Sequence, residues 1–381
     1  MAELKVEIVK IASVHDHPNA DRMELAFVGG YQVCVQKDSF HTGELAVYIP
    51  VDSLLEEDLE SLIFGPDSKV KLNKHRVRCI KLRGAMSQGM LLPLVLVAQY
   101  PGAQSLTYLA EEGLDCTKAL HITKYTPPES KKPSHMVGGA APKRHHHPMF
   151  SKYTSINHLK KYWNAFNEGE DIYNTEKIHG TNFRAGWVPF VPRTFWQKVK
   201  NIFGLNKPFE FVYGSHNVQL MDGSNRTKGG SPNNVYKRIV VDHHLEYKIP
   251  RGQLWYGEIF GDGIQKGYEY SFSEGKVDVA WMDIKIVDSA GGRYLDFGDV
   301  IHTVQDWGQQ VVPYSVGKYN ADDILSDLND PSRKSFIDGK TAPIEGFVVR
   351  PRRERSFYGG RLILKVLSDK YLLKKDGTDW K

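Results

Sequence analysis

Four apolar, strand-like runs in the second half of the chain each carry a charge among residues that alternation would bury. They are Glu258 in Gln253–Gly261, Asp283 in Val277–Val287, Glu345 in Ile344–Arg350 and Lys365 in Leu362–Val366. A charge buried alone is strongly destabilising, because the protein interior does not replace its water. The fold must therefore let these charges compensate one another, or a metal, on one pocket wall. The alternative is an internal salt-bridge network, or acids turned outward on edge strands.

A fifth charge belongs with them. Thr175–Asn182 reads Thr-Glu-Lys-Ile-His-Gly-Thr-Asn, between a β-favouring stretch at 170–175 and the alternating Phe183–Val188. Lys177 is thereby placed at a strand end or in the connection between two strands. Read alone, it is a solvated lysine beside a turn glycine, Gly180. Read with the four charges, it is a nucleophile candidate: a lysine amine attacks phosphorus only when deprotonated, which from a reference pKa of about 10.4 requires burial or neighbouring cations. Gly180 would let a nucleotide approach the backbone.

The 381 residues suggest two or three domains. Residues 1–125 read as short strands at Lys5–Ile11, Met23–Val28, Tyr31–Gln36, Glu44–Ile49 and Arg76–Lys81, the pattern of a small β-barrel. Residues 126–150 are rich in Pro, Gly and basic groups and read as a linker, or as a basic strap over nucleic acid. Their consecutive histidines, His145, His146 and His147, point different ways in an extended chain and make a poor metal site. Residues 151–381 form the remaining domain, with helices expected over Ile156–Phe166 behind Ser155, Phe195–Phe203 and Val235–Leu245. The net charge of +5 is modest, but basic residues crowd 124–152 and Arg350, Arg352, Arg353, Arg355 and Arg361. Either cluster could neutralise phosphates or be ordinary solvated surface. No window approaches the roughly 20 apolar residues of a spanning helix, and the start is unlike a signal peptide, so an intracellular, cytoplasmic protein with no membrane partner is expected. Cys34, Cys79 and Cys116 are too far apart in sequence to suggest a disulfide framework or a zinc site.

Two N-terminal patterns, His17–Leu25 and Lys81–Met90 with its Arg83-Gly84-Ala85-Met86-Ser87-Gln88-Gly89-Met90, resemble the tRNA-binding OB module of synthetase-associated proteins. Tyr31, Lys37, Arg76, Arg78 and Arg83 are its candidate nucleic-acid contacts. Farther on, Glu176–Asn182, Tyr256–Gln265, Trp281–Ile284, Glu345–Val348 and Leu364–Val366 stand in the order of motifs I, III, IIIa, IV and V of the covalent nucleotidyltransferases. The first two resemble the second RNA ligase family of bacteriophage. An OB-like module before that domain is similar to the Deinococcus-type RNA ligases. The resemblance implies an α+β protein: an N-terminal OB-like β-barrel followed by an antiparallel-sheet nucleotidyltransferase domain, the ATP-grasp-like ligase fold.

The resemblance further implies an ATP-dependent RNA ligase. Lys177 would take AMP from ATP, AMP would pass to an RNA 5′-phosphate, and a 3′-hydroxyl would displace it, in RNA repair or nick sealing. Lys365 would bind the α-phosphate and lower the pKa of Lys177. Glu258, Asp283 and Glu345 would organise Mg²⁺ or Mn²⁺. Glu176, Ile178, His179, Asn182, Met282 and Phe347 would line the nucleotide site with Lys365. Ser215, His216, Asn217, Arg350 and Arg352 would contact RNA. The expected partners are RNA ends, including nicked duplex RNA or RNA/DNA hybrid, and the expected state is a monomer. Two departures from the family pattern stand out: motif V has one lysine, with Ile363 and Leu367 flanking it by two, and Met282 replaces an aromatic. The rival readings are an mRNA-capping-type guanylyltransferase and a non-catalytic tRNA- or RNA-binding protein.

Overall fold

The structure, a computed structural model, describes residues 4–65, 68, 71–126, 146–220, 234–264, 270, 273, 275–288, 291–337 and 344–374. Most of the 126–150 linker, including Lys131, Lys132, Lys143, Arg144 and His145, lies outside the described residues, as does Gln265. The chain divides into two compact units. The first comprises 1–137, 155–164 and 366–381; the second comprises 138–154 and 165–365.

In the first unit, alternating apolar residues build two small antiparallel sheets. Leu45–Ile49 lies between Glu7–Lys10 and Met90–Pro93, and Met23–Val28 lies between Ser13–Asp16 and Tyr31–Gln36. Leu45–Ile49 faces two cores: Val47 and Ile49 join Ile8, Leu59 and Leu92, while Ala46 and Tyr48 join Ile11, Val28 and Val33. Cys79–Leu82 and Ala85–Gln88 form a hairpin whose two-residue turn, Arg83-Gly84, has positive φ at both positions, 45° and 98°. Such a turn matches strand twist and favours glycine. The two sequence patterns of this unit meet there: His17 Nε2 donates to Leu82 O at 3.1 Å, and Asn19 Nδ2 donates to Arg83 O at 3.1 Å.

The expected Ile156–Phe166 helix is replaced by a short strand, Asn157–His158, and two 3₁₀ turns, Leu159–Lys161 and Trp163–Ala165. Its apolar spacing suited a helix, but the Lys160 carbonyl accepts from Gly30 N at 2.8 Å. Tertiary pairing thus takes a group that an α-helical ladder would use.

The second unit is built mainly on two sheets. In one, Gln219–Leu220, Phe209–Gly214, Thr181–Pro189, Gln253–Gly261, Val277–Ile286 and Arg293–Tyr294 stand side by side in that order. In the other, Leu364–Leu367, Gly346–Pro351, Asp171–Lys177 and Tyr314–Lys318 are consecutive neighbours. Phe183, Trp255 and Trp281 pack as an aromatic core, with Trp281 5.5 Å from Phe183 and 5.3 Å from Trp255 between ring centroids. Lys177 ends a strand of one sheet and Thr181 begins a strand of the other, so Ile178–Gly180 carry the chain across. Glycine at 180 permits the crossing, because a Cβ there would lie 2.2 Å from Ile259 O.

Candidate active site

The crossing places Lys177 beside two acids that arrive on different strands. Register sets Lys177 opposite Gly346, immediately after Glu345, and sets Asn182 opposite Glu258. Lys177 Nζ forms an ion pair with Glu345 Oε1. His179 Nδ1 donates to the other oxygen of Glu345 at 2.7 Å. His179 is buried, and its backbone N–H donates to the Tyr270 hydroxyl at 2.9 Å. The N–H of Gly180 donates to Glu258.

Burial and mutual charge set the ionisation of this group. Burial disfavours the charge of Lys177, but Glu345 and Glu258 outweigh it and hold the amine above its ordinary value. Burial also pushes Glu345 up, yet Lys177 and His179 hold its carboxyl below the usual range. Glu258 is pushed up to about 8, chiefly by burial; Lys177 opposes the rise and Glu345 adds to it. This arrangement is a resting ion pair, since Lys177 must leave Glu345 and lose its proton before it can act as a nucleophile. The expected depression of Lys177 by Lys365 is not seen in this state: two nearby carboxylates dominate. Lys365 itself is buried, on the Leu364–Leu367 strand that neighbours Gly346–Pro351.

Several expected nucleotide contacts surround the crossing. Ile178 is buried beside Lys177, and Asn182 has a buried side-chain oxygen with no partner among the described residues. Glu176 lies opposite Phe347 in the strand register. Its carboxylate accepts from Ser335 Oγ and from Phe336 N, the latter at 2.8 Å, and burial raises its pKa. Phe347 is buried, with the Arg333 guanidinium 5.5 Å from its ring centroid. Met282 is half-buried, whereas Trp281 is fully buried in the aromatic core.

Asp283 belongs to a different cluster. Its carboxylate accepts from Tyr153 at 2.6 Å, from Arg361 at 2.9 and 3.2 Å, and from Arg350 at 3.3 Å. These partners engage both oxygens of Asp283 in a buried, ion-paired cluster. Arg350 is buried, and it also donates to Met282 O at 3.1 Å. Arg352 is exposed. In the first unit Arg76 is buried against Asp52 and lies 3.8 Å from the Tyr125 ring centroid.

Ser215 and His216 are half-buried and Asn217 is exposed, in the loop between Phe209–Gly214 and Gln219–Leu220. The residue that holds them is one the sequence reading missed. Arg184, fully buried, donates to Ser215 O at 3.0 Å, His216 O at 3.2 Å and Phe150 O at 2.6 Å. Burial lowers its pKa to about 10, and no carboxylate pairs with it among the described residues. Burial, Lys152 and Arg184 lower the pKa of His216. An arginine inside the alternating Phe183–Val188 run was the available signal. His147, rather than facing a ligand, is buried with Nε2 3.1 Å from Pro189 O.

Residues 170–367 match the family model described as RNA ligase, and residues 5–94 match one described as an OB-fold domain. Among solved structures, an RNA ligase of Naegleria gruberi with pyrophosphate is similar, at 21% identity, over 97% of this chain and 98% of that one, with a TM-score of 0.69. A lysine-to-alanine variant of that enzyme with ATP and Mn matches at 20% identity, over 96% and 98% of the two chains, with a TM-score of 0.69. A lysine-to-methionine variant with AMP and Mn matches at 21% identity, over 96% and 97%, with a TM-score of 0.68. At such identity the likeness establishes a shared fold, an OB-fold domain joined to a sheet-rich α+β domain. The curated proteins contain no match.

Proposed function

The chain belongs to the RNA ligase family, and on that premise we propose that Lys177 is the nucleophile that carries AMP between ATP and an RNA 5′-phosphate. The observation that carries this reading is the crossing itself, where Lys177, Glu345, His179 and Glu258 converge from segments far apart in sequence. Lys177, freed of its proton, attacks the α-phosphorus of ATP; a phosphorus–nitrogen bond forms and pyrophosphate leaves. The 5′-phosphate oxygen of RNA then displaces Lys177 from AMP. A 3′-hydroxyl attacks the activated phosphate, forming the phosphodiester and releasing AMP. Such transfers depend on in-line positioning and charge neutralisation. Lys365 is the cation for the α-phosphate, and Glu176, Ile178, His179, Asn182, Met282 and Phe347 contact the nucleotide.

The Naegleria gruberi structures were solved with ATP and Mn or AMP and Mn. Here Glu345 and Glu258, two acids flanking one lysine, fit a divalent cation held largely through water and substrate oxygens. When bound, the cation supplies charge neutralisation at the phosphates. Ser215, His216, Asn217 and Arg352 contact the RNA strand. We further propose a cytoplasmic monomer acting on nicked duplex RNA or RNA/DNA hybrid. Incubation with labelled ATP or GTP and Mg²⁺, followed by sealing assays on RNA, DNA and mixed nicks, tests the reading. A covalent AMP adduct and RNA sealing are expected. Preferential GMP labelling would instead identify a capping-type guanylyltransferase, and no adduct would identify a binding protein.

A further inference from the structure

Between the strands Thr181–Pro189 and Phe209–Gly214 the chain makes an excursion with an unusual surface. Thr194 caps the helix Phe195–Ile202 in a reciprocal capping box with Gln197. Phe195, Trp196, Ile202, Phe203 and Leu205 are 70–81% exposed. At 3.6 residues per turn, Phe195, Trp196, Val199, Ile202 and Phe203 occupy one arc of about 120°. Lys200 and Lys198 stand about 40° beyond its two edges. Gln197 and Asn201 occupy the opposite side, and there Asn206 Nδ2 donates to Gln197 O at 2.7 Å. The polar back of the helix is thus knitted to its own loop, while the apolar face is turned to solvent.

We propose that this helix is an interfacial anchor that seats the protein on a bilayer surface bearing anionic headgroups. Arg193–Pro208 contains four cations and no acid, and Arg193 is the one paired with Glu210, at 2.9 Å. Lys198, Lys200 and Lys207 therefore offer net positive charge around an apolar stripe, the arrangement that buries apolar groups at the acyl boundary while lysines reach phosphates. A second copy of the same face would meet like charge. Single-stranded RNA fits less well: Phe195 and Trp196 pack edge to face, 5.7 Å apart at 75°, and Ile202 and Leu205 have no π-face for a base. No membrane-spanning helix is needed for such binding, so the sequence expectation of no membrane partner, which rested on spanning segments, does not bear on it. The strand Thr181–Pro189 separates the patch from the crossing by about 26 Å of chain length, at about 3.3 Å per residue.

The test is co-sedimentation of the full chain with vesicles of phosphatidylcholine alone or of equal parts phosphatidylcholine and phosphatidylglycerol. Binding to the anionic vesicles is expected, weakened by salt and reduced about tenfold or more by Trp196→Ser with Ile202→Ser. AMP adduct formation should be unchanged in that variant, which confirms that it is folded. A second variant, Lys198→Glu with Lys200→Glu, should lose anionic selectivity. No binding to anionic vesicles, equal binding to both vesicle types, or equal binding by the double serine variant overturns the proposal. So does a variant that loses only RNA affinity, or only concentration-dependent self-association, since the patch would then serve nucleic acid or a second copy.

Discussion

Replacing Asp283 by Asn tests whether that acid is a buried ion-pair partner rather than a metal ligand. The substitution keeps the shape but leaves Arg350 and Arg361 without the charge they face at 2.9–3.3 Å. Removing one partner of a buried pair costs about 3–5 kcal/mol. With a urea dependence of about 3 kcal/mol/M, this moves the unfolding midpoint of the second unit down by roughly 1–1.7 M. Tryptophan fluorescence reads it, because Trp255 and Trp281 lie in that unit's core. The pH dependence has a defined sign. Arg361 and Arg350 hold the carboxyl of Asp283 below its ordinary value despite burial. Its stabilisation is therefore complete above the unfolded pKa, about 3.9, and is lost as pH falls through the lower folded value. The difference between the two proteins should be constant from neutral pH to about pH 5 and shrink in stronger acid. A variant with an unchanged midpoint but an altered metal requirement for adduct formation would refute the ion-pair account.

Three further outcomes are expected at the crossing. Lys177→Ala should abolish the AMP adduct while leaving some sealing of pre-adenylylated RNA; complete loss in a folded variant would show that Lys177 does more than carry AMP. Because Glu345 and Glu258 hold the Lys177 amine above its ordinary value, single-turnover adduct formation should rise with pH through the alkaline range, and Glu345→Gln should move that rise to lower pH although the maximum rate falls. An unmoved profile would remove Glu345 from control of the proton. Gly180→Ala forces a Cβ to within 2.2 Å of Ile259 O, so adduct formation should fall at least about tenfold, as a displacement of about 1 Å can cost a hundredfold; near-normal rates would show that the crossing tolerates a side chain.

The charged positions in apolar runs were legible because burial makes a lone charge conspicuous. Glu345 and Lys177 did prove to be partners, as the compensation argument required. Strand alternation also located Met23–Val28 and Tyr31–Gln36 to the residue, since each has one face in a core. The same alternation could not say which acid faces which cation. Asp283 and Glu258 sit on neighbouring strands, but a register shift at Tyr256/Gly257 intervenes between their positions. Their partners, Arg361 and Lys177, come from opposite ends of the domain sequence. Arg184 escaped notice for a related reason: its acceptors are main-chain carbonyls, and a carbonyl at Phe150 or Ser215 has no signature in residue type. Local chemistry, then, is carried by residue identity: a lysine followed by histidine and glycine, an acid in an apolar run, an amphipathic stripe at Phe195–Phe203. Pairing is decided by sheet register and strand order, because charges attract across space without regard to their separation along the chain, and only the folded backbone sets which of them come within a few ångströms.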